Sequence, residues 1–164
     1  MVYEYETLEH AQIGRGRYRN FRGEKGEYNK AGNRTFSVFL PDDVADYLID
    51  IGWYVKKKPP YREDGDPINQ FDVEVSFDTK GGKFPPPSIK LVSADGTETY
   101  LNEENVSVLD TVDIEDAKVT VRPYNWDVNG KTGCKAYLAE LEVVAKPPRR
   151  SLNASMRREE EDDG

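Results

Sequence analysis

Residues 117–145, AKVTVRPYNWDVNGKTGCKAYLAELEVVA, contain the pattern that decides the fold. Two runs in which apolar and polar residues alternate are separated by the dipeptide Asn129-Gly130. Asn-Gly is favoured in the two-residue turns of β-hairpins, because both residues tolerate positive φ. The stretch therefore predicts a long antiparallel hairpin with its tip at Asn129-Gly130.

Shorter strands outside this hairpin are predicted by the same period of two. The run RTFSVFLP, residues 34–41, directs Phe36, Val38 and Leu40 inward, and INQFDVEVSFD, residues 68–78, alternates Phe71, Val73, Val75 and Phe77. SIKLVS and TETYL flank ADGT, residues 94–97, where Asp-Gly favours a hairpin with a primed turn. Residues 53–57 are expected to form another short strand.

The N-terminal run AQIGRGRYRNFR, residues 11–22, is also predicted to be a strand, and residues 23–33 to be a turn or hairpin loop. Alternation places Ile13, Arg15, Arg17, Arg19 and Phe21 on one face of that strand. Since unpaired guanidinium groups are too costly to bury, the three arginines are expected to form an exposed basic stripe.

One helix is clearly predicted, in PDDVADYLIDIG, residues 41–52. It has acids in its first turn and Gly52 as its stop, and Val44, Leu48 and Ile51 share a face. The tract GGKFPPPS, residues 81–88, is expected to be irregular because proline cannot donate to a sheet ladder. Residues 102–113 fit either a short helical turn or a plain connection.

Together these elements predict an all-β, mostly antiparallel domain with one clear helix and inserted hairpins. An OB-like β-barrel fits this order loosely, and periodicity alone fits an immunoglobulin-like sandwich or a jelly roll as well. The length of 164 residues suits one domain, assigned to residues 1–146. Residues 147–164 lose all periodicity and are expected to be a disordered acidic tail.

The charge distribution is uneven although the net charge is −8. Residues 11–35 contain seven cations and two acids, whereas residues 159–164 contain five acids. A basic front and an acidic end indicate a partner that carries phosphates. A solvated β-ribbon explains the basic stretch equally well from charge alone.

Enzyme motifs are missing: there is no GK[ST] phosphate loop, GxSxG, HExxH or strand followed by GxGxxG. The sequence has one Cys and one His and therefore no group of Cys and His residues with the spacing of zinc ligands. No cofactor or metal ion is expected. The acid pairs Asp42/Asp43 and Asp64/Asp66 could bind a cation, but helix capping and loop solvation explain them better. No apolar span or signal pattern occurs, so the chain is expected in the cytoplasm, away from membranes.

Cations interleaved with aromatic residues remain, as proteins that bind single strands require. Three patches and the separate Arg34 are the candidate nucleic-acid contacts. The patches are Arg15, Arg17, Tyr18, Arg19, Phe21 and Arg22; Trp53, Tyr54, Lys56, Lys57, Lys58, Tyr61 and Arg62; and Arg122, Tyr124, Trp126, Lys131 and Lys135. Many such rings belong to the core instead, an alternative that is strongest for Phe21, Phe36, Phe71 and Tyr137. At most one of Trp53 and Trp126 is expected to be a core residue.

The segments RNFRGEKGEYNKAGNRTFSVFL, GWYVK and PYNWDVNGKTGCKAYLAELEV resemble a widespread family of tailed-phage proteins generally taken to bind single-stranded DNA. The similarity spans residues 11–144, and PYxWxVNGKxGxKAYL is its most specific part. The resemblance implies an OB-type fold and supplies no catalytic residues.

Two functions follow as hypotheses. The first is non-sequence-specific binding of single-stranded DNA in phage replication or recombination, alongside phage replication or recombination proteins, with a homo-oligomer compatible with the sequence. The second is a non-enzymatic structural or interaction protein, such as a virion decoration protein or an inhibitor of a host factor. The basic run Arg15 to Arg22 favours the first.

Overall fold

The computed structural model describes residues 2–24, 33–60, 63, 65 and 67–147. Its strands are β1 (Glu6–Leu8), β2 (Gln12–Ile13), β3 (Arg19–Asn20), β4 (Arg34–Leu40), β5 (Lys56–Lys58), β6 (Ile68–Val75), β7 (Ser88–Val92), β8 (Glu98–Leu101), β9 (Ile114–Val128) and β10 (Lys131–Ala145). Helix α1 covers Asp42–Asp50, and 3₁₀ turns cover Gly16–Tyr18 and Val106–Asp110. No helix in the described ranges is long and apolar enough to cross a membrane.

The long hairpin predicted from residues 117–145 forms as β9 and β10. These strands pair antiparallel from Lys131 opposite Val128 to Ala145 opposite Ile114. Asn129 and Gly130 at the tip have φ values of 52° and 78°, as a two-residue primed turn requires. A register shift between Leu138 and Glu140 divides the hairpin into two halves. The prediction of this element is confirmed.

The register shift lets two different strands pair with the free edge of β10. β6 pairs in parallel with the first half through Ala136 and Tyr137, and β7 pairs in parallel with the second half between Glu140 and Val144. β4 then pairs antiparallel with β6. The sheet is therefore mixed but mostly antiparallel, and the β7–β8 pair is an inserted hairpin.

The N-terminal segment bridges both ends of this sheet. β1 pairs antiparallel with β9, and β2 pairs antiparallel with β4. Between them, the Ala11 N–H donates to the Ala117 carbonyl at 2.7 Å. The hydrogen-bonded ladders do not close fully, but the N-terminal segment, β4, β6, β10 and β9 follow one another around a shared core. The predicted all-β, mostly antiparallel class with one helix is confirmed, and the sheet is open and not closed into a barrel among the residues that the structure describes.

The core inside this arrangement is built from the inward positions of the strands. Phe36 and Val38 of β4, Phe71 and Val73 of β6, and Val121 of β9 are all buried. Leu48 and Ala45 of α1 add to the same cluster. The period-two predictions for β4 and β6 and the prediction of the helix are therefore confirmed, except that Phe77 is half-buried beyond the end of β6.

The prediction of one strand over residues 11–22 is wrong. Gly16 has a φ of 59°, which breaks the extended chain, and a 3₁₀ turn over Gly16–Tyr18 separates β2 from β3. Gly14 is buried, and a side chain there would lie 2.5 Å from Cβ of Tyr18. The alternation used to place the arginines on one face therefore does not apply, because it requires continuous extended backbone. The loop predicted at residues 23–33 lies mostly outside the described residues.

Two smaller predictions also need correction. The strand expected at residues 53–57 is β5, which begins only at Lys56, because Trp53 packs against Phe71 in the core. The β7–β8 hairpin forms as predicted, but only Gly96 of its turn has positive φ, and its N–H donates to the Ser93 carbonyl. This is a turn closed by one left-handed glycine and not a primed turn, which needs positive φ at its first central residue.

Candidate nucleic-acid interface

The sheet has a polar face opposite the core, and the strand registers show which residues share it. Thr35 and Ser37 of β4 lie opposite Glu74 and Asp72 of β6. Tyr137 of β10 lies beside Glu74, and Arg122 of β9 lies opposite Tyr137. The polar face comprises Thr35, Ser37, Gln70, Asp72, Glu74, Lys56, Arg122, Tyr124, Trp126, Lys135 and Tyr137.

A cleft of about 790 Å³ runs across this polar face. Arg17 and Tyr18 line it from the 3₁₀ turn, Tyr54 and Lys56 from the β5 segment, and Lys135 from β10. These residues come from all three patches that the sequence predicts as nucleic-acid contacts. The fold therefore brings parts of the three patches together at one groove, which sequence separation alone does not reveal.

A hydrogen-bonded polar network forms the floor of the cleft. Asp72 accepts from the Ser37 hydroxyl at 2.7 Å, from the Gln70 amide at 2.7 Å and from the Lys56 ammonium at 2.7 Å. Burial alone raises the pKa of Asp72, but these hydrogen bonds outweigh it and lower the pKa overall. The bond to Asp72 also raises the pKa of Lys56, so both groups stay charged at neutral pH.

A second carboxylate, Glu74, lies next to this network. It is 3.4 Å from the ammonium of Lys135 and forms a hydrogen bond with Tyr137. Burial, followed by the negative charge of Glu74, raises the pKa of Tyr137, so the phenol stays neutral and keeps its proton for donation. The centre of the cleft thus holds carboxylates paired with lysines.

Aromatic rings continue the polar face along the β9–β10 hairpin. Tyr124 and Tyr137 meet edge to face, with ring centroids 5.7 Å apart. Trp126 lies over Gly133 on the paired strand, where an added Cβ would be only 2.5 Å from the indole. Tyr124 is 42% exposed, and Trp126 is half-buried. Rings held at a surface in this way are suited to stack on bases.

The exposed basic stripe expected at Arg15, Arg17 and Arg19 does not form. Arg19 is buried, and its guanidinium donates to the carbonyls of Gly14, Leu109 and Val112 at 2.6, 3.2 and 2.6 Å. Burial, and next the charge of Arg15, lowers the pKa of Arg19. Three backbone acceptors compensate the desolvation that the sequence argument treated as prohibitive.

Two further predicted contact residues point away from the cleft. Trp53 is 3% exposed and packs edge to face on Phe71 in the core. Arg34 lies on the inward side of β4, over the ring of Phe77 and 3.5 Å from Glu103. Because Trp126 is half-buried on the polar face, the prediction that the two tryptophans are not core residues together is confirmed.

The remaining predicted cations that the structure describes do not line the cleft. Lys57 points to α1 and is 2.8 Å from Asp46. Arg15, Arg22, Lys58 and Lys131 form no ion pair with any residue that the structure describes. Tyr61 and Arg62 lie outside the described residues.

The sequence analysis did not identify two aromatic residues of the interface. Tyr137 was expected in the core with Phe21, Phe36 and Phe71, but it is half-buried on the polar face, whereas those three are buried. Phe84 lies beside Arg122, with the guanidinium 4.4 Å from the ring centroid. The sequence did contain a signal for Phe84, which lies between Lys83 and three prolines. A ring in such an irregular tract has no predicted place on the apolar face of a strand.

Comparison with protein families gives one match that spans almost the whole chain. The model described as a putative phage ssDNA-binding domain matches residues 2–147. A search of the curated proteins finds no match.

Among solved structures, the fold is similar to that of a single-stranded DNA-binding protein from bacteriophage Enc34. The structure of that protein in complex with ssDNA matches with a TM-score of 0.52 at 9% identity, covering 90% of this chain and 89% of the other. A second structure of the same phage protein matches with a TM-score of 0.52 at 8% identity, covering 90% and 84%. At this identity the likeness shows a shared fold.

Proposed function

The chain belongs to the family of putative phage ssDNA-binding domains, and from this membership we propose that it binds single-stranded DNA without sequence specificity in phage DNA replication or recombination. In this proposal the protein acts in the host cell cytoplasm as a non-enzymatic binder, without cofactor or metal ion. Phage replication or recombination proteins are its further partners. Residues 1–146 are the binding domain, and residues 147–164 are an acidic tail outside it.

The observation that carries this proposal is the cleft across the polar face. Arg17, Lys56 and Lys135 supply positive charge from three separate elements, and Tyr18 and Tyr54 add rings beside them. Single-strand binders combine a basic groove that follows the backbone with rings that stack on bases. Stacking tolerates any base, because every base has a π-face, so the arrangement favours binding without sequence readout.

The carboxylates at the centre of the cleft support a particular orientation of the strand. Asp72 and Glu74 repel phosphates, whereas bases present hydrogen-bond donors and apolar faces. We therefore place the bases toward the cleft floor, Tyr124 and Trp126, and the phosphates toward cations outside the cleft floor. Arg15, Arg22, Lys58 and Lys131 are available to phosphates in this arrangement, since none of them forms an ion pair with a described residue.

Binding to oligo-dT measured at several salt concentrations tests the proposal. The expected result is strong binding at low salt that weakens with a log-log slope of about −0.7 for each phosphate contact, with much weaker binding to duplex of the same length. Equal binding to both forms would contradict single-strand preference. Absence of binding to either would favour a structural or interaction protein.

Substitution of a lysine on each face of β5 tests whether the cleft is the DNA-binding site. Lys56 faces the cleft and Lys57 faces α1, and each is paired with an aspartate. The two substitutions Lys56→Ala and Lys57→Ala therefore remove the same charge and a similar ion pair from opposite faces. If the cleft binds DNA, only the first variant weakens oligo-dT binding. Equal loss in both variants would show that general electrostatics, and not the cleft, controls affinity.

A further inference from the structure

The geometry points to Arg122 as a fixed anchor for one phosphodiester of the bound strand, with Phe84 and Tyr137 as the residues that position it. This inference rests on the proposed function and adds to it a defined phosphate site and a role for Phe84. Three features of the structure carry it: the two rings around the guanidinium, its free donors, and the turn that holds Phe84.

The guanidinium of Arg122 is in contact with two rings. Its central carbon is 4.4 Å from the ring centroid of Phe84 and 5.1 Å from that of Tyr137. Contacts of this length between a guanidinium and a ring are attractive and restrict its orientation. A flexible arginine loses rotamer entropy when it binds an anion, and these rings have already limited that freedom.

The donors of Arg122 remain free in the described part of the chain. No hydrogen bond or ion pair of its side chain is found there, and none of its nitrogens is among the buried unpartnered atoms. The donors therefore reach the surface. Lys56 and Lys135 on the same face are already paired with Asp72 and Glu74. Among the three cations of the polar face, Arg122 can therefore bind an anion without first breaking an ion pair with a described carboxylate.

The ligand class follows from the shape of this site. Because rings contact the guanidinium, its outer edge is left for binding, and that edge presents parallel N–H donors. Two parallel donors match two oxygens of one phosphodiester. The edge of guanine also accepts two such bonds, so the experiment must separate the two ligands. Lys83, whose ammonium is 5.6 Å from the ring centroid of Phe84, adds positive charge beside the same ring.

Phe84 is held in place by a tight turn. The N–H groups of Gly82 and Phe84 both donate to the Thr79 carbonyl, at 3.1 and 3.0 Å. Gly81 and Gly82 have φ values of 70° and 90°, which a residue with a side chain rarely adopts. Three prolines follow Phe84 and restrict the chain further. The ring is therefore positioned before DNA arrives.

The first test compares Arg122→Lys with Arg34→Lys, which changes an arginine that also lies over a ring but points away from the cleft. Both variants keep the charge. Arg122→Lys loses the planar donor pair on the polar face and is expected to bind oligo-dT about tenfold more weakly, while Arg34→Lys stays close to the wild type. Arg122→Ala is expected to lower the salt slope by about 0.7, the value for one phosphate.

The second test asks whether Phe84 acts through Arg122. Phe84→Leu is expected to weaken oligo-dT binding severalfold in the wild-type background and to have no further effect in Arg122→Ala. Phe84→Tyr is expected to restore binding. Additive losses would overturn the positioning role, because a purely structural ring would weaken both backgrounds equally. Thermal unfolding of each variant shows whether it is folded.

The outcomes separate this inference from the proposed function. If the wild type fails to bind oligo-dT, the proposed function is wrong. If the wild type binds but Arg122→Ala keeps the full affinity and salt slope, only the anchor is wrong. If Arg122→Ala weakens binding to oligo-dG but not to oligo-dT, Arg122 contacts a base and the phosphate site is overturned.

Discussion

The segment from Arg15 to Arg22 and the hairpin of β9 and β10 use arginine in opposite ways. The first region is the richest in arginine in the sequence, yet its Arg19 is buried and donates to three backbone carbonyls. In the second region, a single Arg122 contacts two rings and has its donors at the surface. Density of charge along the chain therefore does not identify the residue that is best placed to hold a phosphate.

The difference depends on what surrounds each guanidinium. The 3₁₀ turn at Gly16–Tyr18 turns Arg19 inward, toward carbonyls of the segment 109–112. The regular pairing of β9 with β10 keeps Arg122 on the outer face of the sheet. A buried arginine with its donors satisfied holds the fold together, and a surface arginine with free donors can bind a ligand. Four substitutions test whether burial and pairing set the role of each side chain.

Arg19→Ala is expected to cause the largest change, a loss of about 3 kcal/mol in the free energy of unfolding. Removal of the guanidinium leaves the carbonyls of Gly14, Leu109 and Val112 without their donor, and buried acceptors without partners cost about 1–3 kcal/mol each. Urea unfolding measures the loss. Arg15→Ala, in the exposed part of the same segment, is the control and should change stability little. Similar losses in both would contradict the structural role of Arg19.

Trp126→Ala is expected to weaken oligo-dT binding by about 2 kcal/mol, because stacking of a base on a ring contributes about 1–3 kcal/mol. The matched control is Tyr100→Ala on β8, which removes a ring that is 67% exposed and is not part of the polar face. Tryptophan emission provides a second measurement. Oligo-dT should quench wild-type emission and leave that of Trp126→Phe nearly unchanged, since the remaining Trp53 is buried. Persistent quenching in the variant would contradict the assignment.

Lys56→Ala is expected to weaken oligo-dT binding by about threefold and to lower the salt slope by about 0.7, as for the loss of one phosphate contact. The effect is smaller than that of Trp126→Ala, because the Lys56 ammonium is already paired with Asp72 and its charge is only partly available to a phosphate. Isothermal titration at two salt concentrations measures both quantities. Lys57→Ala should match the wild type; a loss in this control as large as that in Lys56→Ala would remove the distinction between the two faces of β5.

Asp72→Asn is expected to give the smallest effect, a pH-dependent loss of stability of about 0.5 kcal/mol, since the pair with Lys56 is partly exposed. The pKa of Asp72 is lowered in the folded state, so its contribution is present above the unfolded pKa of about 4 and disappears as pH falls through the folded pKa. Wild type and variant should therefore differ at pH 6 and converge in acid. Glu115→Gln, at an exposed position of β9, is the control. A difference between wild type and Asp72→Asn that does not depend on pH would contradict this account.

The sequence by itself determined the elements whose signals are local. Asn129-Gly130 specified the turn of the long hairpin because both residues accept positive φ. The alternation in residues 34–40 and 68–75 specified strands with one apolar face, and Asp42, Asp43 and Gly52 marked the helix. The sequence also supplied the cations and rings that indicated a nucleic-acid partner. Each of these signals depends on residues that are neighbours along the chain.

Only the tertiary structure decided which of those cations and rings lie together. Arg19 is satisfied by carbonyls 90 and 93 residues later in the chain, which no local pattern encodes. Lys56 and Lys135 share one cleft because β5 and β10 both pair with β6, and Arg122 meets Phe84 because an irregular tract passes beside β9. The physical reason is that backbone geometry follows from local sterics, whereas the cost of burying a charge depends on distant groups that only the folded chain brings near.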